Sequence, residues 1–327
     1  MRRRDFLSLV GSMAVWPMTA IAQPGSKSVI GFLSPIARGN ATLFLQAYRE
    51  GLKEAGFVEG QNVWIEYRWA EGQYEHLPVL AAELLNVGAK VITTMGDAAY
   101  AAKAAQSKRT RRVPIVFALG DDPVESGLVA SVNNPGRYIT GATSFGHSLG
   151  PKKLEMLASA LPSAKNFGLL INPKQTGLAE ARDIEHAARK FGLTIRILKA
   201  NSPTQMDEIF ANIRRERLDG LIVSVDTLFL AESTRLGSLT TQYSIPAIGS
   251  LRSFSVAGGL MSFNGSIRET MFRAGVYTGL ILKGVTPDAL PVYLPTKYDL
   301  VVNLKSAKAM NLTLPPWLLA RADELIE

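Results

Sequence analysis

Residues 112–143 read RVPIVFALGDDPVESGLVASVNNPGRYITGAT. The run VPIVFAL is rich in β-branched and apolar residues and lies between charges and a glycine, which is typical of a buried strand. Asp122 precedes Pro123, a pairing favoured at a helix N-cap and first turn, so we expect a helix to about residue 132. A second strand is predicted over 138–143, after the NPG turn. This order of elements predicts an open α/β sheet.

The same alternation of strands and helices continues on both sides of this stretch. Before it, predicted strands lie at 29–34, 63–69 and 91–95. After it, they lie at 167–171, 193–198, 220–225, 245–248, 259–263 and 298–303. Strands that alternate with helices indicate parallel sheets, and the two halves are of comparable size. Neither G-x-G-x-x-G nor G-x-x-x-x-G-K-[ST] occurs, so no phosphate-binding loop is predicted.

Length and charge limit the classes of protein to consider. The chain has 327 residues, enough for two domains. The absence of cysteine excludes disulfides and zinc-thiolate sites. The net charge is +8, and it falls to +6 without residues 1–22, which hold three arginines and one aspartate. We interpret the basic cluster 108–112 as solvated surface, and we expect no nucleic-acid partner.

The first 22 residues are typical of an export signal. Arginines 2–4 precede an apolar stretch over 6–21, and Ala20 to Ala22 form a cleavage site, which predicts a cut after Ala22. The arginines also fit a twin-arginine signal, so both export routes stay open. The apolar stretch is shorter than the about 20 residues of a spanning helix. With no cysteine to carry a lipid anchor, we expect a periplasmic protein.

Catalytic motifs are missing from the sequence. His76, His147 and His186 have no partner motif, and neither G-x-S-x-G nor H-E-x-x-H is present. We therefore interpret the histidines as surface or capping residues and expect no enzyme, metal or cofactor. One alternative stays open, an exported enzyme in which Asp121 acts as general acid or base. Asp122 is a weaker candidate because helix capping already accounts for it.

Small polar residues follow the predicted strands of both halves. They are Ser34, Asp97, Asp121, Asn172, Asp226 and Ser250. The carboxyl ends of parallel strands share one edge, so two facing sheets would bring these groups to one cleft. Helix N-termini suit a ligand carboxylate and an aspartate suits an ammonium, which favours a zwitterion such as an amino acid. Phe145 and Tyr74, in predicted loops, are candidates for packing a ligand side chain.

Several stretches resemble one family closely. They are FVEGQNVWIEYRWAEGQYEHLPVLAAEL (57–84), VPIVFALGDDPVESGLVASVNNPGRYITGAT (113–143), LLINP (169–173), VYTGLILKGVTPDALPV (276–292) and PTKYDLVVNLKSAK (295–308). Together they resemble the ABC-transporter substrate-binding family that includes tryptophan- and tyrosine-binding exported proteins. The resemblance implies a type I periplasmic binding fold, in which two Rossmann-like lobes with parallel sheets are joined by three crossovers. It also implies a monomer that serves ABC permease membrane subunits.

The resemblance further implies where the lobes and the site lie. The crossovers are expected near 143–151, 263–266 and 295–297. The lobes are then 28–145 plus 264–295, and 146–263 plus 296–327. The residues carried over by position are Ser34, Gly96, Asp97, Ala98, Gly120 and Asp121 in the first lobe, and Asn172, Asp226 and Thr227 in the second.

Two departures from the family pattern lie at the expected cleft and hinge. Members commonly have a small or neutral residue where this chain has Asp97, and often Tyr-Gly where it has Asn264 within Phe263-Asn264-Gly265. We therefore do not carry over the solute of the family members to this chain. A sugar-repressor-like regulator would share the lobes, but the export signal takes the place of its DNA-binding helices.

Overall fold

The computed structural model describes residues 28–107, 109–213 and 215–327, apart from the side chain of residue 175. The predicted export signal, residues 1–22, lies outside these ranges. Within them, no helix combines the length and the apolar character that are needed to cross a bilayer.

Strands and helices alternate along most of the described chain. The strands are β1 (Ser28–Ser34), β2 (Val63–Trp69), β3 (Val91–Met95), β4 (Ile115–Leu119), β5 (Ile139–Thr143), β6 (Asn166–Ile171), β7 (Thr194–Lys199), β8 (Gly220–Val223), β9 (Ala247–Gly249), β10 (Met261–Gly265), β11 (Tyr298–Asn303) and β12 (Glu324–Ile326). The helices are α1 (Thr42–Glu54), α2 (Leu77–Asn86), α3 (Ala98–Ala105), α4 (Gly150–Ala160), α5 (Gln175–Lys190), α6 (Pro203–Asn212), α7 (Thr227–Ala231), α8 (Ser233–Gln242), α9 (Arg252–Val256), α10 (Ile267–Leu282), α11 (Leu304–Ala309) and α12 (Pro316–Ala320).

The strands form two sheets, and we call the part of the chain built on each sheet a lobe. In the first lobe the strand order is β2-β1-β3-β4-β5, and all pairs are parallel. In the second it is β12-β11-β10-β9-β8-β6-β7, with one antiparallel pair, β10 and β11. The predicted two-lobed α/β fold with mainly parallel sheets is confirmed.

The chain passes between the two sheets three times. It leaves the first sheet after β5, returns after β10 as α10, and joins the second sheet again at β11. These passages fall close to the crossovers that the family resemblance implies. The boundaries of the two lobes, given residue by residue above, stay a prediction.

Helices cover both faces of each sheet, which is why the central strands are buried throughout. In the first lobe, α1 and α10 pack on one face and α2 and α3 on the other. In the second, α4 and α5 share a core with α11 and α12, while α6 to α9 pack on the opposite face. All residues of β3 and β4 are buried as a result.

The stretch 123–132 differs from its prediction. It forms turns, and no helix connects β4 to β5. The Asp122 carboxylate accepts hydrogen bonds from the backbone N–H groups of Val124 and Glu125, as a helix cap would. The chain then turns at Gly127, whose φ is +70°, before a second helical turn can form. The capping signal was therefore real, but it marks a turn rather than a helix.

Candidate functional site

The carboxyl ends of strands from both lobes meet in a cleft. Gly96 and Asp97 follow β3, Gly120 and Asp121 follow β4, and Asp226 ends the connection after β8. An inner cavity of about 40 Å³ lies between them, and an outer cavity of about 390 Å³ adjoins it. Only the outer cavity lies within the range of about 300–1,000 Å³ that is usual for ligand pockets.

The structure brings together six of the eleven predicted site residues around the inner cavity. They are Gly96, Asp97, Gly120, Asp121, Asp226 and Thr227. Asn172 adjoins them because its Nδ2 donates to Asp226 Oδ1 over 3.2 Å.

Four predicted residues have other surroundings in the described chain and do not line either cavity. Ser34 is buried, and its hydroxyl accepts from the Ile36 N–H. Ala98 is buried at the start of α3, and Phe145 adopts a φ of +51° beyond β5. Ser250 accepts a hydrogen bond from Lys153 Nζ at 2.7 Å. A role for these four in ligand binding stays a prediction.

Asp226 is the most heavily bonded carboxylate of the cleft. Its Oδ1 accepts from the Leu228 N–H at 2.9 Å, which makes it the N-cap of α7. The same oxygen accepts from the Tyr74 hydroxyl at 3.1 Å, across the cleft from the first lobe. Its Oδ2 lies 3.4 Å from Lys174 Nζ. Asp226 thus joins a helix cap, an interlobe hydrogen bond and an ion pair in one side chain.

Lys174 extends from the second lobe into the first. Its ammonium lies against the ring of Tyr74 and 3.5 Å from Asp97 Oδ2. Burial raises the pKa of Asp97 to about 6, although the charge of Lys174 opposes that rise. Burial also lowers the pKa of Lys174, against the attraction of Asp226 and Asp97. Lys174 is therefore a largely desolvated cation between two carboxylates.

His147 lies between two carboxylates in the first crossover. Its Nδ1 forms an ion pair with Asp121, and its Nε2 lies 3.7 Å from Glu180 Oε2. Burial alone would lower the pKa of His147, but Asp121 and Glu180 raise it to about 9. Burial would likewise raise the pKa of Asp121, but His147 and the hydroxyl of Tyr100 lower it. The interpretation of His147 as a surface or capping residue was wrong, because only its tertiary neighbours bury and charge it. His76 and His186 are exposed.

The second lobe contributes a buried pair of opposite charges next to His147. Lys153 and Glu180 are almost completely buried, on α4 and α5. Burial lowers the pKa of Lys153 to about 8 and raises that of Glu180, and the attraction between the two opposes both shifts. Glu180 also lines the outer cavity.

The sequence contained weak signals for the residues that were missed. Lys174 comes two residues after Asn172 at the end of a strand, where a cation can reach the shared sheet edge. Glu180 shares a helix face with Ile184 and Ala188, and a carboxylate within an apolar stripe is unusual. Neither signal identifies a partner without the tertiary structure.

Two lobes with parallel sheets, joined by three passages and facing each other across a polar cleft, define a binding protein of the type I periplasmic class. Residues 30–326 match the family described as ABC transporter substrate binding protein. The chain therefore belongs to that family.

Similar proteins agree with this membership. A tyrosine-binding protein of Clostridioides difficile (strain R20291) is 23% identical over 273 residues, which cover 82% of this chain and 76% of the relative. The solved ABC domain from Streptococcus pneumonia, in complex with L-Trp, is 22% identical. It has a TM-score of 0.78 and covers 92% of this chain and 100% of that one.

A second solved structure has the same fold and comes from Clostridium difficile. It is the ligand-free, open structure of a substrate binding protein with adhesive properties, with 21% identity and a TM-score of 0.60. The match covers 92% of this chain and 99% of that one.

Proposed function

We propose that the protein is a periplasmic receptor that binds a small zwitterionic solute, an amino acid, in the interlobe cleft and presents it to an ABC importer. The observation that carries this proposal is the set of opposite charges from both lobes in one cleft. Asp97 and Asp121 belong to the first lobe, Asp226 and Lys174 to the second, and His147 to the crossover. A ligand with both charges can pair with each kind of group.

The two ends of an amino acid have different partners in this cleft. An ammonium suits the carboxylates, of which Asp97 and Asp226 face each other across the lobes. A carboxylate suits Lys174 and the first turn of α5, which has no acidic side chain. Thr176 in that turn lines both cavities. L-Tyrosine and L-tryptophan are the first candidates, because one relative is named as tyrosine-binding and one similar structure contains L-Trp.

Binding would require the lobes to separate and close again. The inner cavity, at about 40 Å³, is too small for an amino acid, and Tyr74 contacts Asp226 and Thr227 between the lobes. Hinge motion about the three passages would enlarge this cavity, and a ligand that touches both lobes would favour closure. The hydrogen bonds of the Tyr74 hydroxyl with Asp226 and Thr227, between the two lobes, support a closed arrangement here.

The place of action and the partners belong to the same proposal. Export by the segment 1–22, with cleavage after Ala22, would deliver a monomer to the periplasm. Its membrane partner would be the permease of an ABC importer. The enzyme alternative is weaker, because His147 and Tyr100 lower the pKa of Asp121, whereas a general acid or base works best with a pKa near the operating pH.

A thermal-shift screen tests the proposal. The twenty amino acids and a set of sugars are added to the purified protein, and binding constants of any hits are measured by calorimetry. At about a hundredfold excess over Kd, a ligand adds about 2.7 kcal/mol, which raises Tm by about 5 °C. We expect L-tyrosine or L-tryptophan to give such a shift. A screen in which only sugars stabilise the protein would contradict the zwitterion assignment.

A further inference from the structure

The ammonium group of Lys174 lies in the cleft. Lys174 Nζ rests on the face of the Tyr74 ring and lies 3.5 Å from Asp97 Oδ2 and 3.4 Å from Asp226 Oδ2. We call Tyr74, Asp97 and Asp226 the ammonium cage. Two of its three members come from the first lobe and one from the second.

The chemistry of the cage is that of a recognition site for a primary ammonium. The face of an aromatic ring attracts a cation through its quadrupole, and the carboxylates accept the N–H groups of that cation. Asn172 borders the cage, since its Nδ2 donates to Asp226, and its buried Oδ1 has no hydrogen-bond partner in the described part of the chain. The side chains of the cage are only partly exposed or buried, so charge within it is weakly screened.

Lys174 can leave the cage without leaving the cleft. It precedes α5 and carries four flexible methylene groups, and it also lines the outer cavity. Its removal from the cage would leave Asp97 and Asp226 facing each other with no cation between them. Two carboxylates in a poorly solvated space repel each other, and because they belong to different lobes the repulsion would separate the lobes.

We propose that Lys174 is an internal occupant of the ammonium cage, which must hold one cation for the lobes to close, and that the primary ammonium of the solute replaces it. The identity of the solute as an amino acid rests on the proposed function. The requirement for one cation in the cage does not rest on the proposed function. It defines the solute class as primary amines and makes Lys174 a competitor of the ligand.

The test measures the distance between the lobes in the variant K174M. Since the chain contains no cysteine, E54C and R189C place one spin label on each lobe, at exposed positions of α1 and α5. Pulsed electron paramagnetic resonance then reports the interlobe distance at pH 8.5. This pH is set well above the pKa of about 6 that Asp97 has in the parent, because the loss of Lys174 raises that pKa further. We expect K174M to move the distance distribution towards the open state relative to the parent. Adding 50 mM ethylammonium chloride should restore the distance of the parent, whereas 50 mM sodium chloride should not.

The control variant is K152M, which removes a partly exposed lysine that pairs with Glu155 outside the cage. It should leave the distance unchanged, and circular dichroism verifies that each variant is folded. The proposal is overturned if K174M keeps the distance of the parent, or if ethylammonium has no more effect than sodium. These outcomes do not depend on an amino-acid ligand. A receptor that closes on ethylammonium but binds no amino acid would refute the proposed function and retain the cage.

Discussion

Tyr74 and Thr227 are 153 residues apart in the sequence and belong to different lobes, yet their hydroxyl oxygens lie 2.8 Å apart. Thr227 also approaches the backbone of Gly96, which follows β3 in the first lobe. The lobes therefore touch through Tyr74, Gly96 and Thr227, without room for larger side chains. This close approach makes the contact between the lobes sensitive to single methyl groups.

Gly96→Ala should prevent closure of the cleft. A Cβ at this position would lie 2.7 Å from Thr227 Cγ2, and the φ of +54° is unfavourable for a residue with a Cβ. We expect the affinity for the solute found in the thermal-shift screen to fall at least about tenfold, or 1.4 kcal/mol. Calorimetry measures this loss. The double variant with Thr227→Ser, which lacks the opposing methyl group, should recover part of the affinity. Equal affinities of the single and double variants would show that the contact does not limit closure.

Asp226→Asn separates the charge of this residue from its capping role. Asparagine caps a helix about as well as aspartate, so the stability of α7 should be retained, whereas the attraction for an ammonium is lost. We expect binding of an amino acid to weaken at least about tenfold, with little change in Tm. Asp226→Ala should lose the binding and, in addition, about 1 kcal/mol of stability with the cap. If Asp226→Asn binds as tightly as the parent, the ammonium of the solute does not pair with Asp226.

His147 should make the stability of the protein fall between pH 6.5 and 8. Its pKa is raised to about 9 on folding from about 6.5 in the unfolded chain. A base whose pKa is raised on folding adds its full contribution to the free energy of unfolding below pH 6.5. It loses that contribution as the pH rises towards 9. Over this window the loss is at most about 2 kcal/mol. Urea unfolding at several pH values measures it, and His147→Gln should flatten the profile.

The upper limit of that window is set by Lys153. Its pKa of about 8 is lower than in the unfolded chain, so its contribution to stability increases as the pH rises above 8. A parent protein whose stability is constant from pH 6.5 to 8 would mean that His147 is not protonated between its two carboxylates.

Gly275→Ala should destabilise the first lobe. A Cβ at Gly275 of α10 would collide with the carbonyl oxygen of Tyr48 and lie 2.8 Å from Leu52 N, both in α1. The crossing helices would have to separate, at a cost of about 3 kcal/mol. Urea denaturation measures the change. Gly39→Ala is the matched control, because a Cβ there has no neighbour within 4 Å and should change stability by less than about 0.5 kcal/mol. Similar effects of both substitutions would mean that the contact between α1 and α10 tolerates a methyl group.

Most of the elements were predictable from local pattern. The bounds of β2, β3 and β11 match their predictions residue for residue, since short runs rich in β-branched and aromatic residues between turn residues are typical of strands. The stretch 123–132 was mispredicted as a helix because Asp122 caps a turn by the same hydrogen bonds that cap a helix. The short elements α9 and β12 were not predicted, because a segment of three to five residues is too short to show a hydrophobic period.

The sequence by itself determined the fold class, the family and the sheet edge at which Asp97, Asp121 and Asp226 gather. The fold class and the sheet edge follow from periodicity and from residues that end strands, which are local properties of the chain. The family follows from the resemblance of whole stretches. Only the tertiary structure decided which charges meet. Lys174 reaches Asp97 and Tyr74, and His147 reaches Asp121 and Glu180, through contacts between lobes that no sequence spacing encodes. The physical reason is that burial and the position of each partner decide the charge of these groups, and both depend on how the two lobes pack together.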